Sequence, residues 1–207
     1  MLVVIMRTTV AIVGTAGRKN DAARMSRELF ERMCQRTTQI IERELHLDWK
    51  NICIQSGGAA WSDHVAVRLF LQRPETTALK VYLPCPLDGN ARYRDTGSYD
   101  WRTNPGRTSN FYHSQFTKAI GTDSLQELLT AQQRGAVLDT SGTGFHSRNS
   151  MIAKCDILIA FSWSDGDQPW DGGTSDTWRK CKGRKVHVPL SLLCIEPESK
   201  RIKSANP

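Results

Sequence analysis

A chain of 207 residues is long enough for one domain with a substantial core. Its net charge of +7 favours anionic partners, although charge alone does not separate nucleotides from nucleic acids. No apolar run is long enough to span a membrane, and the opening run MLVVIM is too short for the core of a signal peptide. That opening run is expected either to extend the first strand or to precede an alternative start at Met6.

The six cysteines show neither a disulfide framework nor metal-ligand spacing, because no two of them form a C-x-x-C pair. Cys53, Cys155 and Cys194 fall in apolar, strand-like runs, where a thiol behaves as a small hydrophobic side chain. This usage is typical of a reducing compartment and predicts a cytoplasmic protein. A zinc site is disfavoured, and no motif indicates a bound cofactor.

The chain opens with a strand, a turn and a helix. Residues 8–13 are apolar and β-branched, and the glycines Gly14 and Gly17 follow them as a tight turn. Asp21 is a suitable N-cap for a long amphipathic helix that continues to Leu45. The G-x-x-G spacing is a weak nucleotide signal that also fits a plain strand-to-helix turn.

The same pattern then repeats. Residues 51–55 form a second strand that runs into Ser56, Gly57 and Gly58 and then into a helix ending near Gln72. Residues 79–83 form the third strand. Strands separated by helices pair in parallel through right-handed crossovers. Asp63, at the second helix start, either opposes the helix dipole or binds the ribose or base of a ligand.

Residues 87–110 break this alternation with interleaved arginines, aromatic residues, glycines and prolines. One interpretation is a surface excursion whose aromatic side chains pin it to the body of the domain. The other is a lid whose aromatics stack on a base and whose arginines meet phosphate. Aromatic and basic residues in alternation also suit single-stranded nucleic acid.

The second half returns to alternation and ends in a tail. The sequence predicts helices at 111–120, 124–134 and 150–154, a small strand at 137–138, a buried strand at 155–161, a helix from Thr174 and a last strand at 185–193. Residues 196–207 are expected to form a flexible tail. The fold class is therefore α/β, with residues 1–195 as a single Rossmann-like, doubly wound domain whose mainly parallel sheet has about five strands.

Four loops are expected to meet at the carboxyl edge of this sheet, where open α/β sheets bind ligands. They are residues 14–18, 56–63, 142–149 and 171–176. In the last loop the glycines allow backbone to approach an anion, and the first-turn amides of the following helix point at it. Asp171 and Asp176 would repel a phosphate and more readily accept bonds from ribose hydroxyls or cap the helix. His187, in a predicted strand, is expected to be structural.

Three segments in this order resemble a known family. SGGAAWSDHVAV, FHSRNSMIAKCDILIAF and DGGTSDTW, together with GTAGR at the first turn, resemble the YspA-like branch of the SLOG superfamily of Rossmann-like proteins. That superfamily includes the LOG enzymes, which cleave the N-glycosidic bond of cytokinin nucleoside monophosphates, and members proposed to bind nucleotide-derived signals.

The resemblance implies roles for particular residues. Gly172, Gly173 and Thr174 would cradle phosphate, and Arg148 matches an arginine near the scissile bond of the hydrolases. The hydrolases carry a glutamate where this chain has Thr177. The candidate catalytic residues are therefore Arg148, Asp176 and Asp63, with Asp171 as a further carboxylate. The ligand-binding set is Gly14, Thr15, Gly17, Arg18, Ser56, Gly57, Gly58, Asp63, Asn149, Asp171, Gly172, Gly173 and Thr174.

These observations favour a protein that binds a nucleotide or nucleotide-derived ligand at its glycine loops. It would either sense that ligand or cleave its N-glycosidic bond, and Thr177 weighs against cleavage because it cannot act as a carboxylate. The alternative is a nucleic-acid-binding protein that uses residues 87–110. No membrane partner is expected, and a homo-oligomer remains open.

Overall fold

The computed structural model describes residues 7–170 and 172–194. The opening run MLVVIM up to Met6, Asp171 and the tail at 196–207 lie outside the described residues. The strands are β1 (Thr8–Gly14), β2 (Ile52–Ser56), β3 (Ala78–Tyr82), β4 (Val137–Asp139), β5 (Ile157–Ser162) and β6 (Arg184–Pro189). The helices are α1 (Arg27–Gln39), α2 (His64–Gln72), α3 (Pro105–Ile120), α4 (Ser124–Gln133), α5 (Gly144–Ile152), α6 (Gly172–Lys180) and α7 (Leu190–Cys194).

The strands form one all-parallel sheet in the order β4-β3-β2-β1-β5-β6. This confirms the α/β, doubly wound, Rossmann-like prediction. The sheet has six strands rather than five, because the short segment at 137–138 extends to Asp139 and pairs with β3 from Lys80 to Tyr82. Strand β5 lies between β1 and β6, so the apolar run that it carries is interior.

Helices cover both faces of the sheet, which explains why the inner strands are apolar at successive positions. Val10 and Ile12 of β1 face the larger core, which also receives α1, α2, α3, α4 and α7. Ala11 and Val13 face a smaller core with residues of α5 and α6. None of the described helices has the length and apolar character needed to cross a membrane.

The first helix begins later than predicted. Ser26, not Asp21, is its N-cap, and the Ser26 side chain accepts a hydrogen bond from the Leu29 amide. Residues 19–24 instead form a 3₁₀ turn. The carboxylate of Asp21 accepts a bond of 2.7 Å from the Thr15 hydroxyl, so it braces the β1 loop rather than capping a helix.

Two other helices begin earlier than predicted, by about six residues each. Helix α3 starts at Pro105 rather than at 111, because Asn104 caps it and proline suits the first helical position. The irregular part of the predicted 87–110 insertion therefore ends at 104. Helix α5 starts at Gly144 rather than at 150, so Arg148 and Asn149 project from a helix and not from a loop.

The ends of the last two elements also differ from the prediction. Helix α6 begins at Gly172, two residues before Thr174. Strand β6 ends at Pro189 rather than continuing to 193, because proline has no amide hydrogen to donate to a ladder. The residues that follow form α7, so Cys194 lies exposed at a helix end and not in a strand.

The aromatic pair Phe30 and Phe116 joins α1 to α3, with ring centroids 5.0 Å apart in an edge-to-face arrangement. Phe116 is fully buried, whereas Phe111 of the same helix is 58% exposed. We expect Phe116→Ala to lower the free energy of unfolding by about 3 to 5 kcal/mol, because it leaves a cavity between two helices. Phe111→Ala, the matched control, should change it by less than about 1 kcal/mol in the same urea titration.

Candidate functional site

The buried carboxyl of Asp63 joins the loops that follow β1 and β2. It accepts hydrogen bonds from the amides of Gly14 at 3.2 Å, Gly57 at 3.1 Å and Ala59 at 3.4 Å. Burial raises the pKa of Asp63, and the charge of Arg148 and the three amides offset only part of that rise. Asp63 begins α2, but its side chain caps no amide of that helix. Its carboxyl therefore holds two loops in place.

Arg148 reaches the loop after β2 from α5, on the other side of Gly57. Its Nη1 donates to the Gly57 carbonyl at 3.0 Å and its Nη2 to the Asn149 side chain at 3.2 Å. The residue is only 9% exposed, and its Nε has no hydrogen-bond partner in the described part of the chain. No carboxylate oxygen of the described residues lies within 4.0 Å of this guanidinium.

Gly57 must be glycine because it separates these two charged groups. A Cβ at this position would lie 2.7 Å from Oδ2 of Asp63 and 2.8 Å from Nε of Arg148. Both distances are shorter than real Cβ contacts, so any side chain would displace the carboxyl or the guanidinium. The glycine therefore sets the spacing of the pair.

Asn149 connects Arg148 to the first turn of α6. Its Nδ2 donates to Oδ2 of Asp176 at 3.1 Å and, at a longer 3.4 Å, to the Gly173 carbonyl. Lys180 donates to the same carboxylate oxygen at 2.8 Å. Burial acts to raise the pKa of Asp176, but the bonds from Lys180 and Asn149 outweigh it and hold the pKa below its ordinary value. Asp176 is therefore a carboxylate anion, and the Asn149 side chain lies between it and Arg148 with a hydrogen bond to each.

Thr177, which the resemblance described above aligns with a glutamate of the LOG hydrolases, faces another side of α6 from Asp176. It is buried, and its hydroxyl donates to the Gly173 carbonyl at 2.9 Å. Asp176 and Thr177 therefore point to different sides of α6. Of these two side chains it is Asp176 that reaches the group formed with Arg148.

The β1 loop adds a second arginine near the start of α6. Nη1 of Arg18 lies 3.8 Å from the position that a Cβ on Gly172 would occupy, and the Arg18 side chain is exposed. Thr15 braces this loop, since its backbone amide donates to the Phe161 carbonyl of β5 at 3.1 Å. Gly17 is needed under Trp61, because a Cβ would lie 2.8 Å from the indole nitrogen.

Several of the predicted ligand residues are internal supports. Ser56 is fully buried, and its hydroxyl accepts from the Gly58 amide at 3.4 Å. Gly58 has a φ of +64°, and its carbonyl accepts from the Tyr93 hydroxyl at 2.7 Å and from His113 Nε2 at 2.9 Å. The sequence offered no motif for His113, and it placed Tyr93 only within the insertion.

The structure thus gives the predicted site residues three outcomes. It brings the four loops to one edge of the sheet, with Gly14, Gly57, Arg148 and Asn149 linked through hydrogen bonds to neighbouring loops. Thr174 lies in the first turn of α6 without a side-chain hydrogen bond to the described residues. Asp171 is outside the described residues.

The insertion is pinned at one end and exposed at the other. Tyr93 is buried against the Gly58 loop, whereas Tyr99 is 88% exposed with the Arg107 guanidinium 3.9 Å from its ring centroid. Trp101 lies 6.0 Å from the rings of Phe145 and His146 on α5. The pinning interpretation therefore describes Tyr93, and Trp101 lies next to α5, the helix that carries Arg148.

Two cavities lie along the insertion and not over the buried Gly57 and Gly58. The larger, about 590 Å³, lies within residues 86–95 together with Asn110. The smaller, about 240 Å³, lies between the insertion and the loops after β3 and β4, and it is lined by Arg94, Arg102 and Gly144 among others. Within the described residues, no group of three or more His, Cys, Asp or Glu side chains could hold a metal ion.

Comparison with known proteins places the chain in a family. No family model matches it. A protein of Acanthamoeba polyphaga mimivirus, "Uncharacterized protein R261", is 32% identical over 186 residues, which cover 88% of this chain and 96% of the viral protein. The chain belongs to the R261 family. Because the likeness spans nearly the whole of both R261-family proteins, it is a match of the complete domain and not of one motif.

The buried histidine behind the Gly58 loop makes stability depend on pH. Burial, chiefly, lowers the pKa of His113 from 6.5 to about 3, so the folded protein keeps this ring neutral while the unfolded chain protonates it. The resulting stability is complete above pH 6.5 and is lost as the pH falls towards 3.

We expect the free energy of unfolding to fall with decreasing pH across this window, by up to about 1.4 kcal/mol per pH unit for His113 alone. His113→Gln keeps an amide donor but cannot titrate, so urea titrations at pH 7, 6, 5 and 4 should show a shallower dependence. His46→Asn, at an exposed left-handed position, is the control and should leave the slope unchanged. An identical slope in His113→Gln and the wild type would contradict the assignment.

Proposed function

We propose that this protein binds a nucleotide or nucleotide-derived ligand at the carboxyl edge of its sheet, with Arg148 engaging the phosphate or ribose phosphate. The observation that carries the proposal is the guanidinium of Arg148. It is nine-tenths buried, its Nε has no partner, and no described carboxylate pairs with it.

A buried cation without an ion-pair partner is costly, because removal of a charge from water is repaid only by an opposite charge or by complete hydrogen bonding. Arg148 uses two donors on the Gly57 carbonyl and on Asn149, both of which are uncharged acceptors. The nearby carboxyl of Asp63 is already occupied by three amides. An anionic ligand would supply an acceptor for the unpartnered Nε, and the planar fork of guanidinium suits phosphate oxygens.

The surroundings of Arg148 favour the same class of ligand. Helix α6 begins with Gly172 and Gly173, so its first-turn amides are unobstructed by side chains and carry the positive end of the helix dipole. Arg18 lies beside that turn. The resemblance to the SLOG superfamily rests on these same segments.

Binding is better supported than rapid cleavage of an N-glycosidic bond. Thr177 is neutral and buried where the LOG hydrolases have a carboxylate. Asp176 is ionised close to Arg148, but Lys180 and Asn149 already bind its Oδ2. A carboxylate held in this way orients its neighbours, and its lowered pKa makes it a weak base.

A second candidate function rests on the exposed aromatic surface of the insertion. Tyr99 stacks with Arg107, and Trp101 stacks with Arg102 at 4.7 Å. Alternating aromatic and basic side chains of this kind bind single-stranded nucleic acid by stacking and by contact with phosphate. Trp101 does not separate the two candidates, because its ring lies 6.0 Å from that of Phe145, whose centroid is 5.2 Å from the Arg148 guanidinium. Tyr99, which is 88% exposed and stacks with Arg107, does separate them.

The first test measures ligand affinity by calorimetry with a panel of nucleoside mono-, di- and triphosphates. Arg148→Lys should weaken binding about tenfold, because it keeps the charge but loses the forked contact, and Arg148→Ala should weaken it about 100-fold. Arg43→Ala is the control, since Arg43 is exposed beyond the end of α1, at the opposite edge of the sheet. Equal affinities in all four proteins would remove Arg148 from the site.

The second test follows release of free base from the same nucleotides by chromatography. We expect release to be slower than in LOG enzymes by about 100- to 10,000-fold, the usual cost of one missing acid–base group. Rapid release that disappears in Asp176→Asn would instead make Asp176 the catalytic carboxylate. Absence of nucleotide binding, together with salt-sensitive binding of single-stranded RNA that is lost in Tyr99→Ala, would favour the nucleic-acid function.

A further inference from the structure

A serine and a histidine lie in direct contact at the carboxyl ends of β5 and β6. The hydroxyl of Ser162, the last residue of β5, is 2.8 Å from Nε2 of His187 on the neighbouring strand. Nδ1 of His187 is 2.7 Å from the backbone carbonyl of Gly166. Neither Ser162 nor His187 takes part in the glycine-loop site.

The Gly166 carbonyl determines which nitrogen of His187 carries the proton. A carbonyl oxygen can only accept a hydrogen bond, so Nδ1 must be the protonated nitrogen. Nε2 of the neutral ring then presents a lone pair to Ser162, and the Ser162 hydroxyl donates to it. Nucleophilic catalysis uses this arrangement, in which a nucleophile donates a hydrogen bond to a base and a third group orients the base.

We propose that Ser162 and His187 form a nucleophile and general-base pair that cleaves carboxylic esters. The proposal is independent of nucleotide binding, because it uses no residue of the glycine loops. It rests on the 2.8 Å contact between Ser162 Oγ and His187 Nε2, and on the Gly166 carbonyl that fixes the tautomer of His187.

The pair is held by rigid elements. Both residues belong to paired parallel strands, in which Ala160 is opposite His187 and Ser162 is opposite Pro189. The indole of Trp178 from α6 packs edge-on against the His187 ring, with centroids 6.0 Å apart. The backbone amide of Ser164 donates to the Ser162 oxygen at 3.3 Å, which favours charge on that oxygen as its proton leaves. Groups on strands keep catalytic geometry better than groups on loops.

The surface beside the pair indicates an apolar acyl group in the ester. Trp170 is 73% exposed, and its indole nitrogen lies 3.8 Å from the position of a Cβ on Gly166, the residue that orients His187. Both Ser162 and His187 are only partly buried. An exposed indole provides a flat apolar contact for an alkyl or aromatic acyl chain.

The reaction balances with water as the second substrate. Ser162 Oγ attacks the acyl carbon while its proton passes to His187 Nε2, and the C–O bond to the alcohol breaks as the imidazolium returns that proton to the leaving oxygen. Water then attacks the Ser162 ester with His187 taking its proton. The C–Oγ bond breaks, Oγ recovers the proton, and the carboxylic acid leaves.

The first experiment labels the wild-type protein with a fluorophosphonate and locates the adduct by peptide mass spectrometry. We expect modification at Ser162 and not at Ser164, whose hydroxyl accepts from the Trp170 amide, nor at Ser191, which is bonded to Asp165. Heat-denatured protein should lose the modification. Folded protein without an adduct at Ser162, or with equal labelling of the three serines, would overturn the proposal without recourse to any variant.

The second experiment measures hydrolysis of p-nitrophenyl butyrate by the folded wild type and variants. Ser162→Ala and His187→Gln should each lower the rate at least about 100-fold, whereas Ser150→Ala, at an exposed serine of α5, should stay within about threefold of the wild type. Thermal melts establish that each variant is folded. If the Ser162–His187 hydrogen bond has only a structural role, the two variants should melt at lower temperature and the wild type should hydrolyse the ester no faster than denatured protein. That result would also overturn the proposal.

Discussion

The carboxyl edge of this sheet depends on one buried carboxyl. Asp63 accepts amide hydrogen bonds from the loops after β1 and β2, and no other described side chain joins those two loops by hydrogen bonds to their amides. Its burial is costly and raises its pKa, so the three amides and the charge of Arg148 are what make the position tolerable. Residue 57 is glycine because any side chain at that position would collide with the Asp63 carboxyl or the Arg148 guanidinium. The site thus consists of a buried carboxyl and a buried guanidinium with one glycine between them.

The insertion is part of the same construction and not an appendage. Tyr93 and His113 both donate to the Gly58 carbonyl, and they come from the insertion and from α3. These two bonds fix the orientation of a peptide that has a left-handed glycine on its amino side. The result is that the second glycine loop is braced from behind by neutral donors while Asp63 and Arg148 act on it from either side. Changes in the insertion would therefore reach the glycine loop after β2 through Gly58.

The sequence could predict elements whose signal is local. Alternating apolar runs and amphipathic helices give the parallel sheet, and glycines after β2 and before α6 give the loops that meet at its edge. The starts of helices were harder to predict from the sequence. Serine and aspartate are both suitable N-cap residues, but the Asp21 carboxylate binds the Thr15 hydroxyl, and Ser26 caps α1. Asp63, Tyr93 and His113 act on residues far away in the chain, so their roles required coordinates. The same is true of Ser162 and His187, which are 25 residues apart and meet only because their strands pair.

The two outer strands of the sheet disfavour the addition of further strands. Strand β4 is only three residues long, and β6 carries exposed Arg184 and Lys185 at its start and Pro189 at its end. Short length, like charges and a missing amide hydrogen are each known to prevent the addition of a foreign strand. Copies of this chain that met along β6 would bring Arg184 and Lys185 close to the same residues of the other copy, whereas β4 offers only three residues for pairing. Pairing of a further strand with the described sheet is therefore disfavoured at both outer strands.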